Sequence, residues 1–178
     1  YIKHIHIIAV NNEVKELLWI LEKGYSEDIS IETVNIKAND KKQFSFKLQT
    51  ESHIDVKYSL PLNYLYEPNS AIMKSGAFNS VSSRFKLFKL HKHSHLYTSE
   101  QLIDFPGRRF KIVKMVPYSK KCLNKERIRQ ANITTRNFPE SVQQIRKRFN
   151  IKDGGNTFLF FTTNKSDSKI VLICSKCV

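Results

Sequence analysis

Apolar and polar residues alternate over His4–Val10 as a buried strand requires, and Asn11 or Asn12 is placed to cap a following helix. In that expected helix Val14, Leu17, Leu18 and Leu21 recur at helical spacing, and Glu13, Lys15, Glu16, Glu22 and Lys23 lie mostly outside the stripe. Trp19 falls near the stripe as a core or interface residue, and Gly24 ends the element. Ile29, Ile31, Val34 and Ile36 mark a strand. Ala38–Lys42 reads as a turn, and Phe44, Phe46 and Leu48 alternate strictly as the next strand. The predicted order is strand, helix, strand, strand, closed by an antiparallel hairpin.

The pattern changes at Ser59. Ser59–Pro68 is a connector with two prolines, after which Asn69 or Ser70 caps a helix through Ile72 and Met73 that Gly76 breaks or bends. Ala77–Phe85 continues as helix, and Leu87–Leu90 and Leu96–Thr98 are short extended pieces around a histidine cluster. Pro106–Gly107 turns the chain into a strand carrying Phe110, Ile112 and Val116, with Arg109 and Lys111 on its other face. Lys120–Arg129 is expected to be helical with Ser119 as its cap, and Ala131–Arg136 to be a short strand. Pro139 opens a helix whose Val142, Ile145 and Phe149 face the core. Thr157–Thr163 and Lys169–Cys174 form a closing hairpin. The fold class is therefore α+β, with no internal repeat.

Charge sharpens this division. The 178 residues carry a net charge of +14. Residues 1–58 hold eight Lys/Arg against nine Asp/Glu, whereas residues 59–178 hold 22 against seven. The whole excess belongs to the second part, and a polyanion is its natural partner because Lys and Arg displace condensed counterions from phosphates. A solvated basic surface that only maintains solubility is the alternative. No uncharged apolar run approaches 18 residues, so no membrane span is expected. Three cysteines, Cys122, Cys174 and Cys177, are too few and odd in number for a disulfide scaffold, and they point to a reducing, cytoplasmic setting. Tyr1 leads straight into a strand without a preceding Met, as in a piece of a longer chain.

His91, His93 and His95 form H-x-H-x-H, which in an extended strand would put three imidazoles on one face, able to hold zinc. Lys89 and Lys92 adjoin them and disfavour a cation, so they are read as surface or hydrogen-bonded core groups, and no metal site is assigned. The lone Cys174-x-x-Cys177 lacks a second ligand pair and ends a strand, and it is not given a redox role. Tyr64, Tyr66, Tyr97, Phe105 and Tyr118 would stack on unpaired bases if exposed. No nucleophile–base constellation can be assembled, and no catalytic residue is assigned.

Several phrases carry a resemblance. Tyr64-Leu-Tyr-Glu-Pro-Asn69, Ala71–Ala77, Leu90–Ser99 (LHKHSHLYTS), Phe105-Pro-Gly-Arg108, Ala131–Pro139 (ANITTRNFP) and Asp153-Gly-Gly155 stand in one order. Together they resemble the C-terminal region of a group of bacterial class I SAM-dependent methyltransferases. In that group a short ferredoxin-like segment precedes a terminal THUMP-like domain. Asn11–Leu17 is similar to the group's segment after the fifth strand, with Val14 where a cysteine is expected. The resemblance implies that residues 1–58 are the end of a Rossmann-type methyltransferase domain, residues 59–104 a connector with the ferredoxin-like segment, and residues 105–178 the THUMP-like domain. A freestanding βαββ piece of a ferredoxin-like unit is the competing reading of residues 1–58. It also implies that SAM belongs to an upstream domain of the same chain and is not bound by this fragment, which lacks a glycine-rich loop and the acidic ribose contact.

THUMP domains are linked with RNA, so the resemblance and the charge together point to structured RNA, tRNA or rRNA. The candidate contacts are Arg108, Arg109, Lys111, Lys120, Lys121, Arg127, Arg129, Arg136, Asn137, Gln144, Arg146, Lys147 and Arg148. Of these, Arg136 and Asn137 sit at an expected strand-to-helix turn whose N–H groups would favour an anion. Arg136 paired with an acidic neighbour is the alternative. The function expected is substrate recognition for an upstream methyl-transfer site; the alternative is a catalytically silent packing or dimerisation module.

Overall fold

A computed structural model describes residues 1–38 and 40–177. The chain separates into two compact units. One comprises Tyr1–Val56, Pro68–Leu87 and Asp104–Gly107, and the other Lys57–Glu67, Phe88–Ile103 and the chain from Arg108 onward. Residues 59–104 thus contribute to both.

The first unit is built on a four-stranded sheet in the order β2-β1-β3-β4. Its strands are β1 (Ile2–Val10), β2 (Glu13–Leu21), β3 (Ser30–Lys37) and β4 (Asp40–Lys47). β1 is antiparallel to β2 and parallel to β3, and β3 is antiparallel to β4. The helix expected over residues 13–24 is therefore strand β2. Asn11 and Asn12 do not cap a helix; both adopt left-handed backbone (φ 51° and 65°), the conformation of a two-residue hairpin turn. Once that turn forms, β2 pairs with β1 from Glu13 to Leu21, with Lys15 left out at a bulge, and this pairing outweighs the helical spacing. Of the stripe residues, Val14 is half-buried while Leu17, Leu18 and Leu21 reach solvent, as does Ile20 beside them, and Trp19 is 53% exposed. Strand β4 ends at Lys47, so Leu48 begins a short helix, α1 (Leu48–His53), and does not extend the strand. The turn expected over Ala38–Lys42 includes Asn39, which lies outside the described residues.

Helix α2 (Ser70–Ser75) follows its expected caps, and α3 (Phe78–Phe85) covers most of the expected helical continuation. Asn69 accepts from the Ile72 N–H, and Gly76 ends α2 in the left-handed region (φ 78°), which glycine enters without strain. The Glu51 carboxylate accepts from the backbone N–H groups of Asn79 and Ser80, satisfying the start of α3. Ile7, Ala9, Ile31, Phe44 and Phe46 are buried on the sheet, and the Phe44, Phe85 and Phe105 rings form a chain of contacts at 6.1 and 5.3 Å.

The second unit is a seven-stranded sheet in the order β6-β7-β5-β8-β11-β10-β9. Its strands are β5 (Tyr64–Pro68), β6 (Phe88–Lys89), β7 (Tyr97–Ser99), β8 (Gly107–Pro117), β9 (Asn132–Arg136), β10 (Thr157–Thr163) and β11 (Lys169–Lys176). The β10–β11 hairpin matches its expected bounds closely. Period-two alternation divides its side chains between two cores. Leu159, Phe161 and Val171 pack with Leu123, Ile145 and Phe149 of helices α4 (Lys120–Lys125) and α5 (Val142–Phe149). Phe160, Ile170, Leu172 and Cys174 pack with Leu65, Leu90, Leu96 and Phe110. Burial pushes the Cys174 thiol up to about 12, which leaves it an inert core group.

Helix α4 is capped by Ser119 as expected but stops at Lys125, short of Arg129. Helix α5 starts at Val142, three residues after Pro139. Ser141 and Gln144 form a reciprocal capping box there, which satisfies two N–H groups that Pro139 would leave open.

The hairpin account of β2 predicts opposite responses at Asn11. Asn11→Val forces a β-branched residue to positive φ and should destabilise the protein by about 1–2 kcal/mol in urea unfolding, whereas Asn11→Gly should be tolerated.

Candidate nucleic-acid interface

The second unit is organised electrostatically by Glu67, the penultimate residue of β5. Its side chain is only 4% exposed and accepts from two guanidinium groups. Arg108 donates from Nε to Oε2 at 2.6 Å and from a terminal nitrogen to the same carboxylate. Arg136 donates from Nε and Nη2 to Oε1 at 3.0 and 2.8 Å. The arginine side chains are 42% and 37% exposed, so one buried negative charge holds two positive charges at the surface. Arg108 also reaches the Thr134 hydroxyl at 3.4 Å and lies over the Phe110 and Phe160 rings.

The histidine segment is not extended. His91 and His93 stand with ring centroids 5.5 Å apart, and His95 adopts φ 53°. His91 Nδ1 accepts the His93 backbone N–H at 3.1 Å and lies 2.9 Å from Asn137 Nδ2. Because Nδ1 is an acceptor, the ring proton sits on Nε2, which donates to Asp167 Oδ1 at 2.9 Å. Both ring nitrogens are occupied, and the three imidazoles do not converge on a cation. His95 is lowered to about 4, first by burial and then by the nearby charges of Lys89, Arg136 and His93.

The predicted contacts fall into two groups. Several are held by the fold itself. Arg136 and Asn137 lie ahead of α5, not at its N-terminus. Arg136 has its acidic partner, and the Asn137 carbonyl accepts from the Thr163 hydroxyl at 2.6 Å. Gln144 belongs to the capping box. Arg146 donates to the carbonyls of Ala131 and Ile151 and to Asp153. Arg148 donates to Glu140 and to the Tyr118 hydroxyl, and Tyr118 also donates to Glu140. Burial, followed by the Glu140 contact, pushes that phenol up to about 12. Arg109 donates to the Ile103 carbonyl at 3.4 Å.

Lys111, Lys120, Lys121, Arg127, Arg129 and Lys147 form the second group. They are exposed and make no ion pair among the described residues. Five of the six lie on α4, on the turn after it and on α5, two helices that pack together. Arg127 and Arg129 line a cavity of about 230 Å³ with Asn124 and Phe149. Of the tyrosines and phenylalanines expected to stack on bases, Tyr66, Tyr97 and Phe105 are buried. Tyr118 is packed against Phe138, Phe149 and Phe161. Tyr58 is the aromatic residue that this unit exposes among its described residues, and its sequence surroundings give it no distinction. Glu67 is equally inconspicuous in sequence, because its partners lie 41 and 69 residues away.

Two outcomes follow. Glu67→Gln keeps the shape but turns an amide donor toward a guanidinium donor, and should cost about 2–3 kcal/mol in urea unfolding. His95 has a folded pKa below its usual 6.5, so the unfolded chain binds more protons between about 6.5 and about 4. Its contribution is complete above that window and is lost as pH falls through it. Asparagine tolerates the same backbone, so the unfolding midpoint of His95→Asn should depend less on pH there than that of the parent.

Comparison with known proteins adds a frame to this geometry. Residues 64–106 match the family model described as a ferredoxin-like domain, and residues 107–176 match that of a THUMP domain-like family. None of the curated proteins matches. A solved structure, described as that of a "putative methyltransferase from Porphyromonas gingivalis W83", superposes with a TM-score of 0.93 at 36% identity. The match covers 99% of this chain and 46% of that one, so this chain spans under half of the solved protein's length. Methyltransferase-associated architecture is thereby supported, while a Rossmann-type strand–helix–hairpin over residues 1–58 is not what β1–β4 form. What the chain carries is a ferredoxin-like segment followed by a THUMP-like domain.

Proposed function

We propose that the THUMP-like domain recognises structured RNA, tRNA or rRNA, on behalf of a SAM-dependent methyl-transfer site carried upstream in a longer bacterial polypeptide. One observation carries the reading: of the six expected contacts that make no ion pair among the described residues, five lie on α4, its following turn and α5. The acids beside these helices, Glu126 and Glu140, are engaged by Lys114 and Arg148, which leaves Lys120, Lys121, Arg127, Arg129 and Lys147 uncompensated. Phosphates would meet these side chains one by one and set orientation, while the A-form backbone would be read by shape.

SAM is assigned to the upstream site. Among the described residues no strand passes through a glycine-rich turn into a helix: β1 turns directly into β2, and β5 enters α2 through Asn69. The methyltransferase description belongs to the solved relative and comes to this chain as part of the proposal.

A packing role is favoured at one place only. Edge strand β2 exposes Leu17, Leu18, Trp19, Ile20 and Leu21 in sequence, an apolar ribbon of the kind that pairs with another polypeptide. That feature lies in the first unit and is compatible with RNA recognition by the second.

The combined substitution Lys120→Glu, Lys121→Glu and Lys147→Glu tests the RNA reading. Affinity for tRNA in a filter-binding titration should fall about tenfold or more. The slope of log affinity against log salt should become shallower by about one for each phosphate that these lysines neutralise in the parent. If the parent chain binds no structured RNA even at low salt, the reading is wrong, and a stable dimer by light scattering would then favour the packing role.

A further inference from the structure

A cleft of about 550 Å³ in the second unit is lined by Tyr58, His91, Lys92, Lys165 and Asp167. It belongs neither to the α4–α5 surface nor to the Glu67 pair of arginines. Each wall is fixed by the backbone beneath it. Tyr58 bridges to Lys89 of β6, flanked by hydrogen bonds from Lys89 N–H to the Lys57 carbonyl and from Ser59 N–H to the Lys89 carbonyl. Lys165 and Asp167 sit on the β10–β11 turn. There the buried Asn164 side chain accepts from the Ser166 and Ser168 N–H groups at 3.0 Å, and the Asp167 N–H returns to the Asn164 carbonyl. His91 holds Asp167 through its Nε2 proton and is itself held by Asn137.

The chemistry of this lining is mixed in a specific way. Tyr58 offers a half-exposed ring. Lys92 and Lys165 are exposed ammonium groups with no ion pair among the described residues. Asp167 is 84% exposed at its side chain and engages His91 through Oδ1, leaving Oδ2 as an acceptor. A bare phosphate would be repelled by Asp167, and an apolar ligand would ignore both lysines. The ligand that suits all three features carries a flat aromatic ring, a negative charge and an N–H donor.

We propose that the cleft binds one unpaired nucleotide whose base bears an exocyclic amino group. The base stacks on Tyr58, its phosphate lies between Lys92 and Lys165, and its amino group donates to Asp167. His91 acts as a positioning residue that fixes the carboxylate. Cytosine, adenine and guanine carry that amino group; uracil keeps only its ring N3–H, whose two flanking carbonyl oxygens repel the carboxylate. The nucleotide could come from an RNA strand, which rests on the RNA reading of the α4–α5 surface, or from the free pool.

Titration of the chain with cytidine 5′-monophosphate and uridine 5′-monophosphate, followed by the NMR signals of Tyr58 and His91, tests the cleft itself. The cytidine nucleotide should shift both residues and bind about fivefold more tightly than the uridine nucleotide, the size of one unmatched hydrogen bond. Tyr58→Ala and Lys165→Ala should each weaken binding several-fold, and Tyr58→Phe should retain it. These side chains are exposed, so the fold is not at risk. Parallel titrations with a blunt RNA duplex and with the same duplex carrying a cytidine overhang identify the source. Tighter binding of the overhang, abolished in Tyr58→Ala, supports the RNA strand. Nucleotide binding in the cleft without any RNA binding leaves the cleft standing on free nucleotides and removes the RNA reading. Equal binding of both mononucleotides, or binding indifferent to Tyr58→Ala and Lys165→Ala, overturns the proposal even if the duplex still binds.

Discussion

The contact of Glu67 with both Arg108 and Arg136 is the constraint on which the second unit depends. β5 and β9 are separated in the sheet order by β8, β11 and β10. Four inter-strand steps of 4.7–4.9 Å would place flat strands about 19 Å apart, beyond the combined reach of a glutamate and an arginine side chain. They meet because the sheet curls, bringing Leu65 of β5 and Phe160 of β10 into one core with Leu90 and Leu96. The carboxylate closes that curl at its rim, and the opposite face of the sheet is left for α4 and α5.

The same contact changes what the net charge means. Residues 59–178 hold seven acids, and Glu67, Glu126, Glu140 and Asp153 are each paired with lysine or arginine within the unit. The arginines they hold, Arg108, Arg136, Arg146 and Arg148, stabilise the fold before they do anything else. Arg146 is the clearest case, because its guanidinium closes off two backbone carbonyls. The lysines of α4 and α5 have no such duty. In the proposed RNA reading, the charge that meets phosphate is therefore carried by residues that look least organised, as surface recognition of phosphates permits.

Local signals in the sequence are legible where the deciding interaction is itself local. Asn69, Gly76 and Ser119 act within three or four residues of themselves, and the β10–β11 hairpin alternates over its whole length. Ser141-Val-Gln-Gln144 also spells out a capping box, which Pro139 obscures as the more familiar start signal. Residues 13–21 read as a helix because their apolar spacing suits one, while the Asn11-Asn12 turn that makes them a strand has weight only beside β1. The candidate site is the least legible part. Nothing near Arg136 or Arg148 in sequence announces Glu67 or the Tyr118–Glu140 pair, and Tyr58 becomes conspicuous only when Tyr66, Tyr97 and Tyr118 are seen to be packed.

Lysine modification with a small acetylating reagent, in the presence and absence of tRNA and mapped by mass spectrometry, tests the central claim most directly. The account predicts that RNA protects Lys120, Lys121 and Lys147, while lysines of the first unit such as Lys15 and Lys23 react equally with and without it. Protection confined to the first unit, with unchanged reactivity at Lys120, Lys121 and Lys147, would contradict it.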